Sequence, residues 1–365
     1  MKKLIGIFVF MVLLYLLILG ATDSARWGSN SFNLGQRIGL SGILCLGAGL
    51  LIITGGVDLS IGSVVGLCAC AFSFLVLKFA VWIPPYTQGW AEWATPWIVL
   101  GVPAFLVMVL GALVGAVNGL VVTYLRVQAF VVTLCGLFIY RGAARSIAQD
   151  QIPPIAEHVA GVSEFFQGQF LWLPIYVWLL LGLFAVATIF LHGTVYGRYF
   201  FAIGSNEKAA HYSGINVDAY KIFAYVICSG FAALYSLMYV IHYNTVQPAQ
   251  TGNFMELYAI AGAVLGGCSL RGGEGSTLGM LIGTSILILL PNLTNMCGVP
   301  SQLEPTVIGT ALLFCAILDE QLRRGLTWRD VFEHIWYGHR WKYFGVIVFL
   351  GICWLLRLLF ILAMS

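Results

Sequence analysis

Tyr196-Gly-Arg-Tyr-Phe-Phe-Ala-Ile-Gly-Ser-Asn-Glu-Lys-Ala-Ala-His-Tyr-Ser-Gly-Ile-Asn216 is a long polar stretch set between two apolar runs, residues 172–192 and 220–241. Each run has about the 20 residues that cross a hydrocarbon core as a helix. A polar stretch held between two spans must lie at a water-facing surface. This one is long enough for a short helix that lies along the membrane and contacts a soluble partner. The layout describes a membrane protein driven by something it does not itself contain.

The rest of the chain agrees with that reading. Its 365 residues are 60% hydrophobic and 9% charged, and the mean hydropathy is +0.93. Soluble domains carry roughly 25% charged residues, so a globular cytosolic protein is excluded. A membrane β-barrel would alternate polar and apolar positions along segments of about ten residues, and these runs do not alternate. The net charge is +3, with no basic patch of the kind nucleic-acid binding needs. The nine cysteines fall mostly within apolar runs, as Cys45, Cys68, Cys70, Cys135, Cys228, Cys315 and Cys353 do. None forms a Cys-x-x-Cys pair, so neither a zinc site nor a disulfide framework is expected; buried small hydrophobes are. Met1-Lys-Lys3 and the apolar residues 4–20 have the outline of a secretory signal, but no small-x-small cleavage site follows, and a retained first span is the preferred reading.

Apolar runs between polar breaks lie near 4–20, 38–54, 60–79, 97–122, 128–148, 172–192, 220–241, 256–270, 278–292, 304–318 and 343–362. The expected fold is therefore all-α: a polytopic integral membrane protein of about ten core transmembrane helices with discontinuous Gly-rich breaks, plus one extra C-terminal span. Placing the N-terminus in the cytoplasm puts Lys2, Lys3, Arg126, Arg198, Lys208, Lys221, Arg271, Arg323, Arg324, Arg329, Arg340 and Lys342 on the inner side. Only Arg26, Arg37, Lys78, Arg141 and Arg145 are left outside, which is the orientation the excess of inner positive charge favours. The 196–216 stretch is then cytoplasmic.

Two breaks are too short and glycine-rich to be ordinary loops: Gly55-Gly-Val-Asp-Leu-Ser-Ile-Gly-Ser63 and Gly266-Gly-Cys-Ser-Leu-Arg-Gly-Gly-Glu-Gly-Ser276. Both read Gly-Gly-x-[Asp/Ser]-Leu between paired apolar segments. Non-helical backbone at membrane depth must be buried in protein or line a wet cavity, and discontinuous helices at matching places in two halves mark translocation sites. The candidates for a helix break or pathway are accordingly Gly55, Gly56, Asp58, Ser60, Gly62, Asn118, Gly266, Gly267, Gly272 and Gly273. Asp58 is the leading functional charge, since ionisable groups in membranes face a cavity or a partner. Its plainer role, and the favoured one, is to cap the helix that starts near Ser60. Asn118 reads first as an interhelical hydrogen-bonding residue within the stripe Gly111, Gly115 and Gly119, whose spacing suits close helix packing. Arg271 and Glu274 read as a solvated turn. Glu256 reads as an acid at the outer start of its span; Arg141 and Arg145 read first as side chains snorkelling to headgroups, and otherwise as contacts for a docked external protein.

Enzyme signatures are missing. The chain has no Gly-Lys dipeptide, hence no phosphate-cradling loop, and neither His-Glu-x-x-His nor Gly-x-Ser-x-Gly. If transport is energised by ATP, another chain hydrolyses it.

An ordered set of motifs resembles the membrane permeases of ribose-type ABC sugar importers, within the branched-chain and sugar permease superfamily. It runs from Asn33-Leu-Gly-Gln-Arg37 through Ile52-Ile-Thr-Gly-Gly-Val-Asp-Leu-Ser-Ile-Gly-Ser63, Val117-Asn-Gly-Leu-Val-Val-Thr-Tyr124, Phe130-Val-Val-Thr-Leu134 and Ile139-Tyr-Arg-Gly142. The most diagnostic block is Gly197-Arg198, Ala202-Ile-Gly-Ser-Asn206, Ala209-Ala210 and Ser213-Gly-Ile-Asn-Val217. The 266–275 break, Ile308-Gly309 and Ala316-Ile-Leu-Asp319 close the set, which covers roughly residues 32–324. Gln128-Ala129, Cys135 and His211-Tyr212 depart from the family's usual residues.

The resemblance implies a permease importing a monosaccharide or related polyol across the bacterial cytoplasmic (inner) membrane. Its partners would be an ABC ATPase subunit, an extracytoplasmic sugar-binding protein and a second permease copy, identical or related. ATP and magnesium would bind the ATPase partner, and this chain would hold no cofactor. Gly197, Arg198, Ala202, Ile203, Gly204, Asn206, Ala209, Ala210, Gly214 and Ile215 would form the segment that docks on the ATPase, with Gly197 and Gly214 letting the chain leave and re-enter its spans. Residues 1–325 would be the permease domain, and 326–365 an extension beyond the usual family end. The alternative is an ion-coupled secondary carrier with Asp58 as its coupling site.

Overall fold

The computed structural model describes residues 2–22, 26–83, 95–151, 155–298, 300, 303, 305–306, 309–310 and 313. The chain divides into two compact units, Met1–Ile308 and Gly309–Ser365; the first holds nearly all the described residues. The expected boundary at 325/326, the span at 343–362 and most of that at 304–318 lie outside the described residues.

The helices are α1 (Lys2–Ala21), α2 (Trp27–Ile53), α3 (Ile61–Trp82), α4 (Thr95–Tyr124), α5 (Ala129–Ala148), α6 (Ala156–Gln167), α7 (Ile175–Thr188), α8 (Val195–Ser205), α9 (Glu207–Tyr212), α10 (Val217–Tyr243), α11 (Met255–Leu265) and α12 (Thr277–Met296). A π turn, Ile189–Gly193, prolongs α7, and β1 (Gln169–Phe170) pairs antiparallel with β2 (Leu173–Pro174) in a two-stranded hairpin. Among the described residues, seven helices are long and apolar enough to cross a membrane: α2, α3, α4, α5, α7 with its π turn, α10 and α12. The chain is an all-α polytopic membrane protein.

Helix α2 is the axis of the unit. It packs on α7, α10, α11 and α12, while α10 also packs on α3 and α4. Small residues make these approaches possible. Gly39 faces the Tyr176 backbone, and Gly111, Gly115 and Gly119 seat α4 against Ser229, Tyr225 and Ile222 of α10, as close backbone contact in membranes requires. Helix α1 lies on α12 through Leu14, Ile18, Ile282 and Ile286.

The expected spans shift in three places. Helix α2 starts at Trp27 rather than 38. The run at 172–192 opens with the hairpin and becomes helical only at Ile175, after an additional short helix, α6, that its mixed composition had hidden. The run at 256–270 is not a full span. Helix α11 has 11 residues, about 16 Å of axis at 1.5 Å per residue, about half of a hydrocarbon core. Residues 244–254 carry the chain from the end of α10 back into the bundle, turning at Asn244 (φ 57°) and Gly252 (φ 84°). The signals were Asn244, Pro248, Gly252 and the acid Glu256, all lying just before or within an otherwise apolar window.

Candidate functional site

The 196–216 stretch folds into two short helices because polar side chains cap their starts. Thr194 Oγ1 accepts from Gly197 N at 3.3 Å at the start of α8. Asn206 Oδ1 accepts from Ala209 N at 3.0 Å at the start of α9, and Asn216 Oδ1 from Ala219 N at 3.2 Å at the start of α10. Each cap satisfies an amide that the first helical turn leaves open. The inner faces are apolar: Ile203, Ala210 and Val217 form one small cluster, and Phe200 joins the main core. Arg198, Asn206, Ala209 and Gly214 are exposed, Ala202, Gly204 and Ile215 are half-buried, and Tyr212 is 87% exposed. Gly214 turns at φ 83°, a left-handed geometry glycine adopts without strain. Gly197 does not turn. It is helical and lies against Leu191, where a side chain has no room.

Helix α8 meets both glycine-rich breaks at one point. A methyl on Gly204 would collide with the Ile53 carbonyl and the Gly273 amide, and Gly273 itself lies against Ser205. Gly273 N donates to Ile53 O at 2.8 Å, tying the end of α2 to the 266–276 break. Gly55 lies near the Arg271 carbonyl, and Gly272 near Gly55 and Gly204. Gly56 sits beside them, over Leu51. Gly266 stands apart, packed on Gly279 of α12, and Gly267 (φ 94°) faces open space. Arg271 and Glu274 are exposed.

Deeper in the bundle the first break turns polar. Asp58 Oδ1 accepts from Ser60 N at 2.8 Å and Ser60 Oγ at 2.6 Å, so Asp58 shapes the turn that leads into α3; Ser60 is the N-cap residue, and no side chain caps the first-turn amides. Asn118 Nδ2 donates to Ser60 Oγ at 3.0 Å, and Tyr140 Oη donates to Asn118 Oδ1 at 2.7 Å. One chain of hydrogen bonds thus joins the break, α4 and α5. Gly62, one turn on, lies against Gly252 and Glu256. The N-termini of α3 and α11 therefore face each other inside the protein, with Asp58 and Glu256 as the acids that suit their positive ends.

Arg141 corrects the sequence reading. Its guanidinium does not reach outward. Nη1 donates to the carbonyls of Thr251 and Pro248 and packs on Gly66, holding the 244–254 segment against α3. A carbonyl-rich turn inside the bundle offers it fixed acceptors in place of headgroups. Arg145 is exposed and pairs with Asp150 at 2.7 Å. Glu256 is buried rather than at an outer rim, and Cys135 is exposed. Tyr140, Arg141 and Tyr225 were missed as functional candidates. The signal for the first two was a polar pair within the least apolar of the seven long helices.

Below the polar chain an open cavity of about 1140 Å³ lies between the first break, the end of α4, α9 and the start of α10. Gly55, Arg126, Asn206, Lys208, His211, Asp218 and Tyr225 are among its walls. Lys221 and Glu207 form an ion pair of 2.7 Å across it. Tyr225 Oη donates to Val57 O at 3.2 Å, tying a wall of this cavity to the residue next to Asp58.

Apolar spans, interrupted helices whose ends meet inside the bundle, and a polar helical pair at one end define a multi-pass membrane permease. The chain belongs to the family described as branched-chain amino acid transport system / permease component, which matches residues 30–316. It is similar to the ribose import permease protein RbsC of Escherichia coli (strain K12), 35% identical over 298 residues that cover 80% of this chain and 86% of that protein. The RbsC of Bacillus subtilis (strain 168) is 31% identical over 329 residues, 88% of this chain and 94% of that protein. The autoinducer 2 import system permease protein LsrC of Enterobacter sp. (strain 638) is 32% identical over 294 residues, 78% of this chain and 77% of that protein. No solved structure matches. The resemblance to ribose-type importer permeases read in the sequence therefore holds.

Proposed function

We propose that this chain is the membrane subunit of an ABC importer that carries a monosaccharide or a related small polyol inward across the bacterial inner membrane. An extracytoplasmic binding protein delivers the solute, a second permease copy completes the pathway, and a separate ATPase subunit with bound ATP and magnesium drives it. The N-terminus and the α8–α9 segment face the cytoplasm in this reading, in line with the distribution of Lys and Arg. The ribose and autoinducer 2 permeases among the relatives make a five-carbon sugar or a small hydroxylated signal the first solutes to test.

The observation that carries the reading is the glycine junction at Gly204. Helix α9 and Tyr212 offer an exposed surface to a soluble partner, while the inner side of α8 is locked on both breaks. A push on the exposed side reaches the interrupted helices as rigid-body motion. Reconstitution with a cognate ATPase and binding protein in vesicles, with D-ribose as probe, tests this through solute-stimulated ATP hydrolysis and uptake. Uptake by the chain alone, collapsed by a proton or sodium ionophore, would favour the ion-coupled alternative, for which the buried Asp58 speaks.

A further inference from the structure

The links from Tyr140 to Asp58 all donate in one direction. Tyr140 Oη gives its proton to Asn118, Asn118 Nδ2 donates to Ser60, and Ser60 donates twice to Asp58 Oδ1. The unused positions are at the two ends: the lone pairs of the Tyr140 hydroxyl and the second carboxyl oxygen of Asp58. Asp58 is 1% exposed, and among the described residues its Oδ2 has no hydrogen-bond partner. Buried polar atoms are nearly always paired, and one left open calls for an explanation. Arg141 does not supply it, being held by the carbonyls of Thr251 and Pro248.

We propose that Asp58 Oδ2 and the Tyr140 hydroxyl are the two ends of a solute-binding site that reads the hydroxyl groups of an uncharged polyol. This rests on the import reading above and adds the contacts. A hydroxyl can donate to a carboxylate or accept from a carboxylic acid, so it satisfies Oδ2 in either protonation state. A cation satisfies only the first, and an anion is repelled by a carboxylate. Tyr140 is half-buried on α5, the least apolar and least covered of the seven long helices, so the polar chain reaches a face the unit leaves open. On the other side, Tyr225, a wall of the 1140 Å³ cavity, is tied to the carbonyl of Val57, the neighbour of Asp58.

The test uses the full chain in lipid nanodiscs and saturation-transfer NMR with D-ribose as probe, alongside D-ribose uptake by the complete importer in vesicles. Wild type is expected to transfer magnetisation to ribose. Tyr140→Phe, which keeps the ring, and Asp58→Asn each weaken ribose binding by about tenfold, the scale of one hydrogen bond to a charged or buried group. Tyr140→Phe also raises the KM for uptake more than it lowers kcat, a split that a purely structural role would not produce. Tyr176→Phe, on α7 and outside the hydrogen-bond chain from Tyr140 to Asp58, binds ribose like wild type. Wild-type ribose binding by both Tyr140→Phe and Asp58→Asn overturns the proposal, as does a wild-type chain that gives no ribose signal while the importer still takes ribose up. Ribose binding in nanodiscs with no ATP-driven uptake by the complete assembly would instead sink the import reading and leave the site standing.

Discussion

Gly204 and Gly273 touch backbone to backbone: a methyl on Gly204 would overlap the Gly273 amide nitrogen while also striking the carbonyl of Ile53. Neither obstacle is a flexible side chain, so the space cannot open without shifting α2 or the second break. Gly204→Ala is expected to cost about 1–3 kcal/mol, the range for overpacking a tight site. Solute-stimulated ATP hydrolysis by the reconstituted importer should fall with it. The exposed Ala209→Ser should stay within about 0.5 kcal/mol of wild type. Full stimulation in Gly204→Ala would show that this contact does not carry the coupling.

Tyr225→Phe removes the hydroxyl that holds Val57. The net cost of one such bond is about 0.5–1.5 kcal/mol, so the protein should fold and express. The loosened loop then opens a route between the cavity and the polar chain. ATP-independent efflux of labelled ribose from preloaded vesicles should rise above that of wild type. Unchanged efflux would mean that the loop does not serve as a barrier.

Asn118→Leu strands the Tyr140 hydroxyl without an acceptor and withdraws the amide from Ser60. Leaving buried partners unsatisfied costs about 1–3 kcal/mol. Adding Tyr140→Phe removes the stranded hydroxyl, so the double variant should be less destabilised than the sum of the two single changes. Such coupling is expected of residues in one hydrogen-bond network. Unfolding titrations in mixed micelles measure it, and strict additivity would show that the two side chains act independently.

Arg141→Met keeps the aliphatic stem but loses the donors to the Thr251 and Pro248 carbonyls. Hydrogen bonds from charged groups are worth about 1.5–3 kcal/mol, and that loss should appear in thermal unfolding. Arg141→Lys should recover only part of it, because an ammonium lacks the planar fork of donors. A side chain that merely reached for headgroups would tolerate both changes, and near-neutral values would restore that view.

Much of this arrangement was legible residue by residue. Long apolar windows announced α2, α3, α4, α5, α10 and α12, whereas the caps at Thr194, Asn206, Asn216 and Ser276 went unread. The interhelical role favoured for Asn118 is the one its side chain adopts, whereas Asp58, expected to cap α3, instead holds Ser60 in the turn before it. The half-length α11 was hidden because averaging over 256–270 hides a single Glu256, and the turn before it reads as an ordinary loop. Arg141 was misplaced for a related reason. A cation near the end of an apolar run looks the same whether its acceptors are lipid headgroups or carbonyls of a segment more than 100 positions later in the chain.

Hydropathy and chain length were enough, without any coordinates, to make this an all-helical membrane protein with a polar helical element between two spans. Those properties depend on neighbours within a few residues, and a string of residues carries them in full. That Ile53, Gly204 and Gly273 share one contact, and that Tyr140 reaches Asp58 through Asn118 and Ser60, was decided only by the packing of whole helices. Periodicity tells which face of a helix is turned inward. It does not tell which other helix it meets, because that depends on the close-packed fit of every helix at once.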